Sequence, residues 1–196
     1  EQSLEIAREI GDRSGEGLSL NNIGVVYQSL SNYTEALEYY EQSLEIVRAI
    51  GDRSGEGYSL NNIGEVFLAQ GKYDSAEDYF RKSIAIFIDL NSRAEVQNVY
   101  SVLGDYYVAQ NLDSLAVKNY ALSIKIVENI RGKLEVEGQK TTYSSGISGL
   151  YSKMVLSLLR LDRNEDAYNY VERSRARSFL DLLASGEVKV GKSRHE

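Results

Sequence analysis

EQSLEIVRAIGDRSGEGYSLNNIG, residues 41–64, is a near copy of EQSLEIAREIGDRSGEGLSLNNIG, residues 1–24; the two differ at only three of 24 positions, Ala7/Val47, Glu9/Ala49 and Leu18/Tyr58. The offset between them is 40 residues. Self-similarity at a fixed period of roughly 20–50 residues marks a solenoid, in which each unit buries its apolar face only against its neighbours. A chain of 196 residues then holds about five such units, complete or partial, and its core is shared between units instead of central.

Outward from the copies, Gly11 and Gly51 stand where a helix C-terminal cap belongs, and Asp12 and Asp52 can cap the following helix through their carboxylates. From Arg13 to about residue 30, Leu18, Leu20, Ile23, Val26, Tyr27 and Leu30 recur at steps of three and four, which predicts a helix A. Ser31 and Asn32 break the pattern. Ala36, Leu37, Tyr40, Leu44 and Val47 then share one face of a helix B over about 33–50. The pair predicts full hairpins at 13–50, 53–90 and 93–131. Residues 1–10 match only the end of a helix B and are expected to be a partial repeat of an array that continues before Glu1, with an apolar end face able to drive self-association.

Helix A repeats Leu20, Ile23, Gly24, Tyr27 as Leu60, Ile63, Gly64, Phe67 and as Tyr100, Leu103, Gly104, Tyr107. Helix B repeats Ala36, Tyr40, Ser43 as Ala76, Phe80, Ser83 and as Ala116, Tyr120, Ser123. This pattern resembles the tetratricopeptide repeat (TPR). The resemblance implies an all-α fold, an α-solenoid of antiparallel helical hairpins wound into a right-handed superhelix. Gly24 and Ala36 would let helices A and B approach closely, and Tyr27 and Tyr40 would fill the remaining space. A mid-helix glycine costs about 1 kcal/mol relative to alanine, so packing must offset it. The period exceeds the standard unit by about six residues, roughly 9 Å of helix. In that respect it is similar to the long repeats of kinesin light chains, the Leu-Gly-Asn-repeat polarity adaptors and many bacterial regulators.

After Ile130 the register changes, because Ala167 corresponds to Ala116 at a step of 51. Residues 133–184 are therefore expected to form an atypical last hairpin, with a long or broken helix over about 133–161 weakened at Gly138, Gly146 and Gly149, and a helix B over about 164–183. The ending YVERSRARSFLDLLA, residues 170–184, together with the preceding LYSKMVLSLLRLDRNEDAYNY, resembles the last hairpin of bacterial TPR proteins that continue into a caspase-like CHAT peptidase domain. Glu172, Arg175, Arg177, Asp181 and Leu182 carry that likeness, and it implies that Glu172, Arg175, Arg177 and Asp181 dock the following domain. On their own spacing, Arg177 with Asp181 and Glu172 with Arg175 also read as ion pairs along one helix face. The peptidase and its Cys-His pair would lie beyond Glu196, since this chain has no cysteine and its one histidine is His195.

Residues 185–196 lose all periodicity and read as a flexible tail or linker. Within them GEVKVGKS, 186–193, matches the phosphate-binding pattern G-x-x-x-x-G-K-[ST], but a helix precedes it where a strand is required and three residues follow where a helix must begin.

The net charge of −7 is uneven: residues 1–162 carry −8 and residues 163–196 carry +1. An acidic solenoid is a poor phosphate binder, which argues against a nucleic-acid partner and for a ligand with basic residues. No apolar run approaches the roughly 18 residues of a membrane span. The absence of cysteine removes disulfides, thiolate metal sites and thiol nucleophiles, and the sequence shows no signal-peptide pattern. Composition therefore points to the cytoplasm, to no membrane partner and to no metal or cofactor. No catalytic constellation stands out, so the chain is expected to act by binding and not as an enzyme.

The concave face of such arrays is lined by helix A, which makes its polar residues the candidate contacts: Asn21, Asn22, Gln28, Tyr58, Asn61, Asn62, Glu65, Asn98 and Asp105. The resemblance to the long-repeat families implies that an Asn at the place of Asn22 and Asn62 holds the backbone of an extended peptide. A side-chain amide suits that role, because it offers donors and an acceptor to any peptide unit whatever its side chain. Ser101 and Val102 occupy those places in the third hairpin, so a peptide is expected near the first two. The function expected is a peptide- or protein-binding scaffold, the sensor or regulatory arm of a bacterial TPR-CHAT protease. The alternative is a free-standing adaptor or signalling-peptide sensor with no attached enzyme.

Overall fold

A computed structural model of the chain describes residues 2–131 and 147–184. Among the described residues every regular element is a helix: α1 (Gln2–Glu9), α2 (Arg13–Ser29), α3 (Tyr33–Ala49), α4 (Arg53–Ala69), α5 (Tyr73–Asp89), α6 (Arg93–Ala109), α7 (Asp113–Arg131), α8 (Ile147–Arg160) and α9 (Asn164–Ala184). Consecutive helices form antiparallel-hairpin repeats, so the fold is an all-α solenoid of the expected kind. Two compact units are present, Glu1–Leu103 and Gly104–Glu196.

The turns keep a shorter period than the sequence copies do. Gly11, Ser31, Gly51, Gly71, Asn91 and Asn111, at steps of 20 residues, all take a left-handed conformation with φ between 55° and 73°, as does Asp162. Each follows the last helical residue, and the next N–H closes the turn on a carbonyl five residues back, for instance Asp12 to Ala7 at 2.8 Å, Asn32 to Tyr27 at 2.9 Å and Lys72 to Phe67 at 2.9 Å. Asp12 and Asp52 then accept the Gly15 and Gly55 N–H at 2.9 Å, the cap expected of them.

The near-identical 24-residue copies build one further device. Glu16 and Glu56 are buried at 7% and 8% exposure. Arg8 Nε donates to Glu16 at 2.9 Å while Arg13 reaches its other oxygen; Arg48 Nε donates to Glu56 at 2.9 Å while Arg53 does the same. The Arg8 hydrogen bond outweighs burial and, with the Arg13 charge, holds the Glu16 carboxyl below its ordinary range. One repeat on, Ile88 and Val96 replace Arg48 and Glu56, and Val96 is buried at 7%. The ion cluster is thus not repeated at the third turn of this kind, where Val96 is buried and Ile88 is exposed.

The glycines of helix A seat the aromatic rings of helix B. A Cβ at Gly24 would lie 2.6 Å from Tyr40, at Gly64 2.8 Å from Phe80 and at Gly104 2.2 Å from Tyr120, all ring Cε1 atoms. Tyr40 and Phe80 are 0% exposed and Tyr120 is 1%. Beside them, Ser43 and Ser83, both buried, donate across the hairpin to the Gly17 and Gly57 carbonyls at 2.8 Å. Tyr27, half-buried, packs against the cluster that holds Ala36 and Tyr40 and also stacks on Tyr39 with centroids 5.3 Å apart, as Phe67 stacks on Tyr79 at 5.4 Å.

Leu18, Val26 and Leu30 depart from the expected core face, at 57–63% exposure. For Val26 the reason is local, since its copy Val66 is buried in a cluster with Ala36, Tyr40 and Leu44 of α3, whereas only the short α1 precedes α2; Leu18 shares its exposure with its copy Tyr58. Of the helix expected over about 133–161, α8 is the described part; Gly138 and Gly146 lie outside the described residues, and Gly149 faces open space. At the step of 51, Val155 and Val171 stand where the earlier hairpins have glycine and an aromatic ring. Two medium side chains replace one very small and one large, and both are half-buried.

Candidate functional site

Eight of the nine candidate contacts lie in the first unit, on α2, α4 and α6. Asn62 Nδ2 donates to Asn21 Oδ1 at 3.0 Å, which ties α4 to α2 on their shared face and uses one donor of Asn62. Asn22, the copy of Asn62, is exposed, as are Tyr58 and Asn98. The Tyr58 hydroxyl donates to Glu95 at 2.8 Å, and its ring meets Phe87 edge-on at 5.2 Å. Burial, followed by Glu95, pushes the Tyr58 hydroxyl pKa up.

Gln28, Asn61 and Glu65 form one hydrogen-bonded chain that ends on a buried ring. Tyr40 donates to Gln28 Oε1 at 2.7 Å, Gln28 Nε2 to Glu65 Oε2 at 3.2 Å and Asn61 Nδ2 to Glu65 Oε1 at 2.9 Å. In the second unit the same task falls to Asp105, which accepts the Tyr120 hydroxyl at 2.8 Å and the Lys153 ammonium at 2.6 Å. Burial first, and the neighbouring carboxylate next, push both tyrosine pKa values above their ordinary range, so these hydroxyls remain donors. Where the ring is Phe80 and has no hydroxyl, Glu65, at the place of Asp105, turns to Gln28 and Asn61 instead. The polar ladder therefore divides into side chains bound to the buried tyrosines or to one another and side chains that face solvent, the second kind being Asn22, Tyr58 and Asn98, beside the Asn62–Asn21 pair.

The second candidate group lies on α9. Glu172 and Arg175 pair at 3.1 Å on an exposed face, as their spacing suggests. Arg177 does not point outward: it is 18% exposed, reaches Glu128 of α7 at 3.3 Å and lies 5.6 Å over the Tyr151 ring. Arg173 meets the same carboxylate at 2.8 Å, and Tyr151 donates to it at 2.6 Å. Burial raises the Glu128 pKa, but the Tyr151 hydroxyl and the two guanidinium groups outweigh it and hold the carboxyl below its ordinary range. Burial and that carboxylate push Tyr151 up to about 12. Glu128 lies 45 residues from Arg173 and 49 from Arg177, beyond any helical spacing rule. The side chain of Asp181 and all of residues 185–196, including the 186–193 pattern and His195, lie outside the described residues. Among the described residues no group of His, Asp and Glu is arranged to hold a metal, and no helix is long and apolar enough to cross a membrane.

Comparison with known proteins places these features. The tetratricopeptide repeat family matches residues 1–49, 15–89 and 59–129 in overlapping registers. No curated protein matches the chain in sequence. Among solved structures, BtubC (BKLC) from P. vanneervenii superposes with a TM-score of 0.71 at 17% identity, over 94% of this chain and 69% of that one. A signal transduction ATPase with numerous domains from Pyrococcus horikoshii, which has a tetratricopeptide repeat sensor, superposes at 0.66 and 19% identity, over 94% of this chain but only 27% of its own. A chain of nearly identical TPR-like repeats from Podosopora anserina superposes at 0.62 and 17% identity, over 90% of this chain and 82% of that one. At these identities the likeness is one of fold.

Proposed function

This chain belongs to the tetratricopeptide repeat family, and from that membership we propose that it is a scaffold whose α2–α4 face recognises the main chain of an extended peptide. The observation that carries the reading is the amide arrangement: Asn62 is oriented by its bond to Asn21, while its copy Asn22 stands exposed on the adjacent helix. Amides one repeat apart can engage successive peptide units without regard to side chain, and Tyr58 and Asn98 add contacts beside them. The acidic balance of residues 1–162 favours a ligand with basic side chains.

We infer further that the array is the sensor arm of a bacterial TPR-CHAT protease working in the cytoplasm, with α9 presenting Glu172 and Arg175 to a peptidase domain that follows Glu196. What supports this is the likeness of residues 170–184 to the hairpin preceding such domains. Reading the native coding region past Glu196 tests it: a His and a Cys on a caspase-like sheet support the arm, and a stop codon near Glu196 overturns it in favour of a free-standing adaptor or peptide sensor. The peptide-binding reading is tested by selecting ligands from a displayed peptide library. Asn22→Ala and Asn62→Ala are each expected to weaken the selected peptide about tenfold with helicity intact. Unchanged affinity in both variants overturns the reading.

A further inference from the structure

The surface of α8 and α9 differs from the surface with which the earlier hairpins meet their neighbours. In α3, α5 and α7 one helix B position holds Leu44, Ile84 and Ile124, at 8%, 8% and 1% exposure, and another holds Val47, Phe87 and Val127, at 4%, 1% and 2%. Leu44 and Val47 pack with Leu60, Ile63 and Val66 of the following helix α4. At the step of 51 those two positions in α9 are Arg175 and Ser178. A face built for another repeat of this chain's own kind would be aliphatic there, and it is not.

The same face is nonetheless hollow and apolar at its floor. Between α8 and α9 lies a groove of about 630 Å³, lined by Val155, Leu156, Val171 and Phe179, with Arg175 and Ser178 at its side. Leu156 and Phe179 are 55% and 54% exposed and extend the apolar surface at the groove's edge. Val155 and Val171 stand in the groove where the other hairpins set a glycine against the ring of Tyr40, Phe80 or Tyr120. Among the described residues Arg175 pairs with Glu172 in an exposed (i,i+3) ion pair, an interaction worth little and easily exchanged. Arg173 and Arg177 are committed to Glu128, so Arg175 is the guanidinium of this helix that can turn to an incoming carboxylate.

We propose that this groove docks an amphipathic helix of a partner domain, one that inserts a large apolar side chain between Val155 and Val171 and sets an acidic residue against Arg175. A helix is the occupant because the corresponding side of the α2–α3 hairpin receives a helix, α4, and antiparallel helix pairs present grooves that accept a third. An acid is specified because a buried aliphatic position has become arginine at the groove wall. The proposal deepens the docking role given to α9 and rests on that role only for the source of the helix.

The test uses the full chain and two labelled model peptides of the same helical pattern, one of leucine and glutamate and one of leucine and lysine, read by fluorescence anisotropy. The net charge of −7 favours the lysine peptide at long range, so a local cation is required for the opposite order. The glutamate peptide is expected to bind saturably and about tenfold more tightly, Arg175→Glu to invert the preference, and Val171→Phe, which returns a ring to the hollow, to weaken both peptides about tenfold. Tighter binding of the lysine peptide to the wild-type chain, no saturable binding of either peptide, or a folded Val171→Phe variant that binds as wild type would each overturn the groove's assignment. A failure here strikes the groove alone, because the coding region past Glu196 decides the docking role independently.

Discussion

A methyl group at Gly64 would have to share space with the Phe80 ring, 2.8 Å from Cε1 and 2.9 Å from Cδ1. Alanine is about 1 kcal/mol better than glycine inside an exposed helix, yet displacing a fully buried ring from a packed site costs about 1–3 kcal/mol. Gly64→Ala is therefore expected to lower the thermal midpoint, and Gly104→Ala, with the Tyr120 ring only 2.2 Å away, to lower it further; a rise in either midpoint would show that the rings can move aside. The hydroxyl of the ring is a separate matter. Phe80→Tyr places a donor where Glu65 stands in the position that serves Tyr120 through Asp105, so its midpoint should stay within a degree or two of wild type, to the extent that a paired hydroxyl is nearly neutral. The glycine and aromatic positions were legible in the sequence because they recur at the repeat distance. The acceptors were not: Gln28 and Asp105 occupy different repeat positions, and only the geometry shows that both answer a tyrosine hydroxyl.

At the scale of helices, Asp12 and Asp52 cap the starts of α2 and α4, while α3 and α5 begin without a side-chain cap, and α2 to α7 lie where apolar spacing of three and four predicts them. What the spacing could not give is contact between distant helices. Arg177 reads by spacing as a partner of Asp181 on an outward face, but it reaches back to Glu128 of α7 together with Arg173 and Tyr151. This cluster gives a pH dependence whose sign is fixed. The folded pKa of Glu128 is below its ordinary 4.5, so its contribution to stability is complete above that value and is lost as pH falls through the folded pKa. Between about pH 5 and pH 3 the wild-type midpoint should fall more steeply than that of Glu128→Gln, which should already be the less stable protein at neutral pH. Parallel curves would mean that the two arginines and Tyr151 give Glu128 no advantage over an amide.

Across the whole molecule the repeats are alike in packing and unlike in what they expose. The first unit carries the amide face, with Asn22, Tyr58 and Asn98 exposed and Asn62 bound to Asn21. The second unit carries the α8–α9 groove with Arg175 at its wall. Asn22 and Asn62 recur between the first two hairpins and give way to Val102 in the third, and Arg175 and Ser178 of α9 depart from the apolar residues of all the earlier hairpins. In the proposed function Asn22 and Asn62 grip a peptide main chain. The most direct measurement of that grip is a titration of the isotopically labelled chain with a selected peptide, following the side-chain amide resonances of asparagine. The Asn22 and Asn62 signals are expected to move together and saturate at the peptide's dissociation constant, while those of the turn residues Asn91 and Asn111 stay in place; saturable binding that leaves Asn22 and Asn62 unmoved would rule out the proposed grip.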